Sequence, residues 1–164
     1  MLSREALNDS GALWSLLNWR TLTTYQKASL NARWKIESLL VWDKCCPGTG
    51  TMKGLRPSYE MVSLFCRENF AIADRSLKDI RQNQWGSAKP NGHPAEKPEE
   101  LISWLIQISL PESGVVADWF MGSGTTGAAA LKAGHRFIGI EQDEKWFNYS
   151  VERLKKLNAH LKKT

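Results

Sequence analysis

The sequence predicts an α/β sandwich with a mostly parallel sheet. Apolar runs of strand length alternate with amphipathic stretches of helix length along most of the chain. Between Ala117 and Phe147 the order strand, glycine turn, helix, strand, acidic residue is complete within one short stretch. The length of 164 residues suits one domain, enough to bury about two thirds of the unfolded chain's surface.

The elements follow in order. Residues 1–11 read as the end of a helix stopped by Gly11. "ALWSLLNW" is a short apolar run that suits a buried strand. "TLTTYQKASLNARW" is an amphipathic helix with Thr21 as its N-cap, and "KIESLLVW" is a second strand. The loop "DKCCPGTGTMKGLRPS" is rich in Gly, Pro and cations. "YEMVSLFCREN" fits a strand or a short helix, and periodicity leaves the two open. Residues 74–98 carry few apolar side chains and several Pro, Gly and Asn, so they form a long surface connection, a feature often tied to function. "PEELISWLIQISL" has helical spacing with Pro98 in its first turn. "GVVADWF" is a strand, "TTGAAALKAG" a helix ended by Gly134, "RFIGIE" a strand, and residues 144–163 a final helix.

Composition narrows the classes. Hydrophobic residues make up 42% and charged residues 24%, ordinary for a soluble globular protein. No apolar run approaches the ~20 residues that span a bilayer, and "MLSREALNDSGALW" is too polar for a signal peptide. A cytoplasmic location is expected. Cys45, Cys46 and Cys66 do not have zinc spacing and read as reduced thiols. The formal charge of +5 permits a polyanionic partner, although much of the excess lies in "ERLKKLNAHLKKT", which reads as a solvated helix. Most of the eight tryptophans should serve packing, while a few on a basic face can stack on bases.

Gly122, Gly124 and Gly127 satisfy G-x-G-x-x-G between a strand and a helix. Glycine there lets the backbone turn tightly and approach a ligand. Ala128, Ala129 and Ala130 let the helix lie close to the sheet. Glu141 ends the next strand, near the ~20-residue offset of a carboxylate that accepts hydrogen bonds from ribose hydroxyls. A dinucleotide and S-adenosylmethionine both suit this frame. Asp118 and Phe120 ahead of the glycines favour the second, because a carboxylate there can face a sulfonium or an amino group and repels a pyrophosphate.

"DWFMGSGTTGAAALKAGHRFIGIEQDEKWFNYSVERLKK" resembles the cofactor motif of DNA amino-methyltransferases, D-P-F-x-G-S-G-T-T followed by a strand ending G-I-E, with Trp119 in place of the usual Pro. "HPAEKPEELISWLI" looks like the family's H-P-x-x-K-P segment, and "VWDKCCPGTGTMKGLRPSYEMVSLFCREN" is similar to its V-W-D-K, glycine loop, R-x-x-x-E segment. The resemblance runs from Leu13 to Lys156 in the permuted order called the β class. It implies a Rossmann-like S-adenosylmethionine-dependent methyltransferase fold. By resemblance, Asp118, Phe120, Gly122, Ser123, Gly124, Thr125 and Glu141 bind the cofactor, and His93, Lys97 and Pro98 line its methionine side. The implied activity is methyl transfer from S-adenosylmethionine to the exocyclic amine of adenine, or less favourably of cytosine, in double-stranded DNA. Lys44, Lys53 and Arg56 lie in a flexible loop where cations reach phosphates, or where they are simply solvated. Arg56 and Glu60 are spaced to pair locally.

The family presents its target base with a D/N/S-P-P-Y/F/W tetrapeptide, and no two of the six prolines here are adjacent. In the permuted order that tetrapeptide precedes "REALNDSGALW". The expectation is therefore a partial domain over residues 1–164, of prophage- or plasmid-like style, that lacks N-terminal strands and a catalytic tetrapeptide. It would be inactive alone, expose strand edges and apolar faces, and need a second copy or a complementing subunit. The rival readings are a non-enzymatic DNA-binding remnant and a nicotinamide-dependent oxidoreductase.

Overall fold

The α/β class holds, with strands and helices interleaved along the chain. The computed structural model describes residues 2–48, 53–85, 95–110 and 112–162, which group into two units, Met1–Trp85 and Gly86–Thr164.

In the first unit the elements are α1 (Leu2–Glu5), β1 (Ala12–Leu17), α2 (Leu22–Asn31), β2 (Ile36–Asp43), β3 (Tyr59–Cys66) and β4 (Ile80–Gln82). The strands form one sheet in the order β1-β3-β2-β4. The segment that periodicity left open is the strand β3. Its run Met61–Phe65 is buried throughout, as a strand covered on both faces requires. β3 lies antiparallel to β1, with Leu17 opposite Met61, and antiparallel to β2, with Asp43 opposite Tyr59. Only β4 lies parallel to its neighbour, β2. The sheet is therefore mixed where a mostly parallel one was expected. The cause is local to the connections. Helix α2 carries the chain back so that β1 and β2 run the same way, but the link from β2 to β3 contains no described helix. The chain simply returns and β3 slots between the other two.

Trp42 is fully buried at the centre of this unit, and its indole Nε1 donates to the carbonyl of Asn83 at 2.8 Å, tying β2 to the residues after β4. Trp34 packs against Phe65 with centroids 5.9 Å apart. At the start of α2, Thr21 occupies the expected cap position, but its hydroxyl donates back to the carbonyl of Asn18 and caps nothing.

The second unit contains α3 (Glu99–Ser109), β5 (Val115–Asp118), α4 (Thr125–Lys132), β6 (Arg136–Gly139) and α5 (Glu144–Leu161). β5 and β6 are parallel, in register from Val115 opposite Arg136 to Asp118 opposite Gly139, with α4 as the crossover. α4 is built from Ala128, Ala129 and Ala130, all buried, because it lies close to the strands and to α3 and α5. A Cβ on Gly127 would stand 2.7 Å from the Phe137 ring, so only glycine admits this approach. α3 contributes Leu101, Ile102, Leu105 and Ile106 to the same core. Asp143 caps α5 by accepting from the Trp146 amide at 3.0 Å.

β5 and β6 alternate strictly. Val116 and Phe137 turn inward, while Val115, Ile138 and, just past β6, Ile140 are 45%, 54% and 52% exposed. One face of this small sheet is therefore open and largely apolar, with the exposed Arg136 opposite Val115 as its charged member.

Candidate cofactor site

Asp118 ends β5, and Glu141 follows β6 on the neighbouring strand path. Between them the chain makes the turn from Trp119 to Gly124 and enters α4. The turn is fastened to the strand beside it: the Met121 amide donates to the Ile140 carbonyl at 3.0 Å, and the Ile140 amide to the Asp118 carbonyl at 2.9 Å. Gly122 (φ 49°) and Gly124 (φ 80°) take left-handed conformations that side chains resist, which supplies the physical need behind the motif.

Both carboxylates are engaged by the turn they flank. Asp118 Oδ1 accepts from the Phe120 amide at 3.0 Å, and Oδ2 accepts from the Thr126 hydroxyl at 2.6 Å. Glu141 Oε1 accepts from the Asp143 amide and Oε2 from the Gly122 amide, each at 2.9 Å. The Asp143 amide foremost, with those of Gly122 and Gln142, holds the Glu141 carboxyl below its usual range, against the opposing effects of burial and of the Asp143 charge. Each carboxylate has about four lone-pair positions, so both retain capacity for a ligand. Among the described residues, neither is ion-paired to Lys or Arg. Phe120, two residues after Asp118, is 88% exposed. Two anionic groups, an exposed ring and the amides that open α4 suit a cationic, hydroxyl-bearing ligand. They do not suit a pyrophosphate.

Ser123 and Thr125 are placed differently from what their motif position implies. Both are buried, and their hydroxyls face each other at 3.3 Å. Thr125 also donates to Glu96 at 3.3 Å. Arg153 of α5 closes this cluster, donating to the Ser123 carbonyl at 2.9 Å and pairing with Glu96 at 3.3 Å and Glu99 at 3.5 Å. Their side chains brace the turn from within. Neither Arg153 nor Glu96 is a specified position of the sequence motifs, and the resemblance implies no role for Thr126, the motif's last threonine. The one available signal is that Ser150, Arg153 and Leu154 share the face of α5 that meets the glycines.

Of the residues assigned to the methionine side, Lys97 and Pro98 sit half-buried just before α3, and His93 lies outside the described residues. Of the loop cations, Lys44 is buried, 3.7 Å from Glu60 and 5.0 Å from the Trp85 ring centroid. Lys53 and Arg56 are exposed. Arg56 donates to the Gly48 carbonyl at 2.9 Å, so the expected pairing of Arg56 with Glu60 gives way to Lys44–Glu60.

The family described as DNA methylase (N6_N4_Mtase) matches residues 2–152. This chain belongs to that DNA methylase family. Its relatives agree. The chain is 28% identical over 150 residues to the putative methylase YubD of Escherichia coli K12, covering 92% of this chain and 64% of that protein. It is 26% identical over 179 residues to the type II methyltransferase M2.DpnII of Streptococcus pneumoniae, covering 96% of this chain and 65% of that one. The chain thus spans just under two thirds of the length of these relatives. Among solved structures, the M1.HpyAVI–SAM complex superimposes with a TM-score of 0.77 at 23% identity, over 90% of this chain and 76% of that one. The cytosine-N4-specific PvuII DNA methyltransferase gives 0.75 at 14% identity, over 93% and 70%. At these identities the superpositions establish the shared fold.

Proposed function

We propose that this DNA methylase binds S-adenosylmethionine at the turn between Asp118 and Glu141 and serves methyl transfer to an exocyclic amine in double-stranded DNA, adenine being favoured over cytosine. The observation that carries the reading is the glycine turn held between two carboxylates that no lysine or arginine of the described residues neutralises. Bound S-adenosylmethionine supplies a methyl group made electrophilic by its sulfonium. Glu141 keeps free lone pairs for ribose hydroxyls, and Asp118 faces the cationic end. Phe120 offers a flat apolar surface beside them. Lys97 and Pro98, with His93, complete the methionine side by family resemblance. Lys53 and Arg56 supply phosphate contacts that position a duplex without reading its sequence. Lys44 acts indirectly, by holding Glu60 and Trp85 beneath that loop. The type II methyltransferase relatives and the M1.HpyAVI–SAM complex support both the cofactor and the substrate class.

The open apolar face of β5 and β6 supports a second copy or a complementing subunit as a further partner. Among the described residues no helix is long and apolar enough to cross a membrane.

Calorimetric titration with S-adenosylhomocysteine and with NAD tests the assignment. Binding of the first alone, lost in Asp118→Ala, is expected. Binding of NAD, or of neither, rules the site out. Transfer of labelled methyl groups to unmethylated plasmid DNA is expected to be absent for the chain alone. Activity abolished by Asp118→Ala would instead show that the chain needs no partner.

A further inference from the structure

Trp19 is 57% exposed, an unusual position for the residue type that best rewards burial. It does not sit on a loose loop. Asn18 Oδ1 accepts from the amides of Arg20 at 3.0 Å and Thr21 at 3.3 Å, and the Asn18 carbonyl accepts from the Thr21 amide at 3.1 Å and the Thr21 hydroxyl at 3.0 Å. These bonds fix the turn that joins β1 to α2 and hold the indole outward. The Arg20 guanidinium lies over the ring, 5.1 Å from its centroid. A fixed, exposed indole paired with a cation has the make-up of a nucleobase platform: a flat face for stacking and a charge for the adjoining phosphate.

Its place in the first unit agrees. β1, β2 and β4 run the same way, so the turn after β1 lies at the same end of the sheet as the loop carrying Lys53 and Arg56. Ligands of open α/β sheets gather outside the carboxyl ends of such strands. The acids at that end are already occupied: Asp43 accepts from the Cys45 amide and from Gln82 Nε2, and Glu60 pairs with Lys44. The first unit as a whole holds twelve Lys and Arg against eight Asp and Glu, so it is itself net basic, as the terminal helix is.

We propose that Trp19, with Arg20, is a stacking site for a DNA base that has left the duplex stack. The proposal rests on the DNA-methyltransferase reading and adds a residue that grips the nucleic acid. A base within a paired duplex has both faces covered and cannot use the indole, so the site discriminates unpaired from paired DNA.

The test is fluorescence anisotropy of the full chain with a labelled oligothymidine strand, a fully paired duplex and the same duplex carrying one unpaired thymidine. Trp19→Ala is expected to weaken binding to the strand and the bulged duplex by about tenfold, within the range of one lost stacking contact, while Trp19→Phe restores most of it. The paired duplex should change by less than about twofold, since its affinity is dominated by phosphate contacts. Arg20→Gln should weaken all three and flatten their salt dependence. Because Trp19 is exposed, thermal unfolding and S-adenosylhomocysteine binding should not move. Equal loss on paired and unpaired DNA, no loss with Trp19→Ala, or no DNA binding by the wild type would each overturn the stacking site. If cofactor binding persists in those cases, the methyltransferase reading survives; if the wild type binds no S-adenosylhomocysteine, that reading falls by itself.

Discussion

Glu141 organises the cofactor turn before any ligand arrives. Its two oxygens each hold one backbone amide, so the carboxylate and Gly122 are fixed relative to one another. Glu141→Gln would turn an NH2 group toward one of those amides. The expected cost is about 1–2 kcal/mol, the lower part of the range for hydrogen bonds to a charged group because the side chain is only half-buried, together with a loss of S-adenosylhomocysteine affinity. The pH dependence has a definite sign. The folded protein holds this carboxyl below its ordinary value, so the contribution is complete above the unfolded carboxylate range and is lost as pH falls through the lower folded value. Acid unfolding of wild type and Glu141→Gln, followed by circular dichroism, should therefore converge at low pH and separate on the neutral side. Curves that remain equally spaced across the whole range would contradict this account.

At the scale of elements, the packing of α4 is the most constrained feature. A methyl group on Gly127 would meet the Phe137 ring at 2.7 Å and Leu154 Cδ1 at 2.8 Å. Gly127→Ala should thus destabilise by roughly 1–3 kcal/mol through overpacking, against the gain of up to about 1 kcal/mol that alanine brings inside a helix. Urea unfolding gives the sign directly, and a stabilised variant would show that α4 can shift. This element was also the easiest to read in sequence. Glycine spacing, the alanine run and Gly134 at φ 79° are all local signals. The same is true of α5, with Asp143 as its cap. The mixed sheet was less legible because strand direction depends on partners far along the chain, and nothing in "YEMVSLFC" states that it will lie between β1 and β2. Tertiary contacts likewise decide the Arg153 brace, which reaches 30 residues back to Ser123 and 57 to Glu96. They also decide the burial of Lys44, which sequence places in a cationic loop and the fold places beside Trp85. Motif spacing located the glycine turn and could not tell which motif side chains are buried beneath it, as Ser123 and Thr125 are.

For the whole molecule, the uneven surface is the dominant property. The first unit has a basic, aromatic end, and the second has an open apolar face at Val115, Ile138 and Ile140. The apolar face should bind a hydrophobic dye and promote association at raised concentration. Replacing both Ile138 and Ile140 with Lys is expected to lower dye fluorescence severalfold and to shift sedimentation toward monomer, at little cost in unfolding temperature because both side chains are already exposed. Unchanged dye binding would mean that this face is covered in solution. The Gly122 amide adds a last consequence. Its proton is held by a side-chain carboxylate and not by a backbone carbonyl, so its magnetic resonance frequency responds to the charge on Glu141. Protonation of Glu141, or a ligand that draws on its remaining lone pairs, would shift this one signal even where the backbone stays still. The protein therefore carries its own spectroscopic probe of the proposed cofactor turn, on the Gly122 amide.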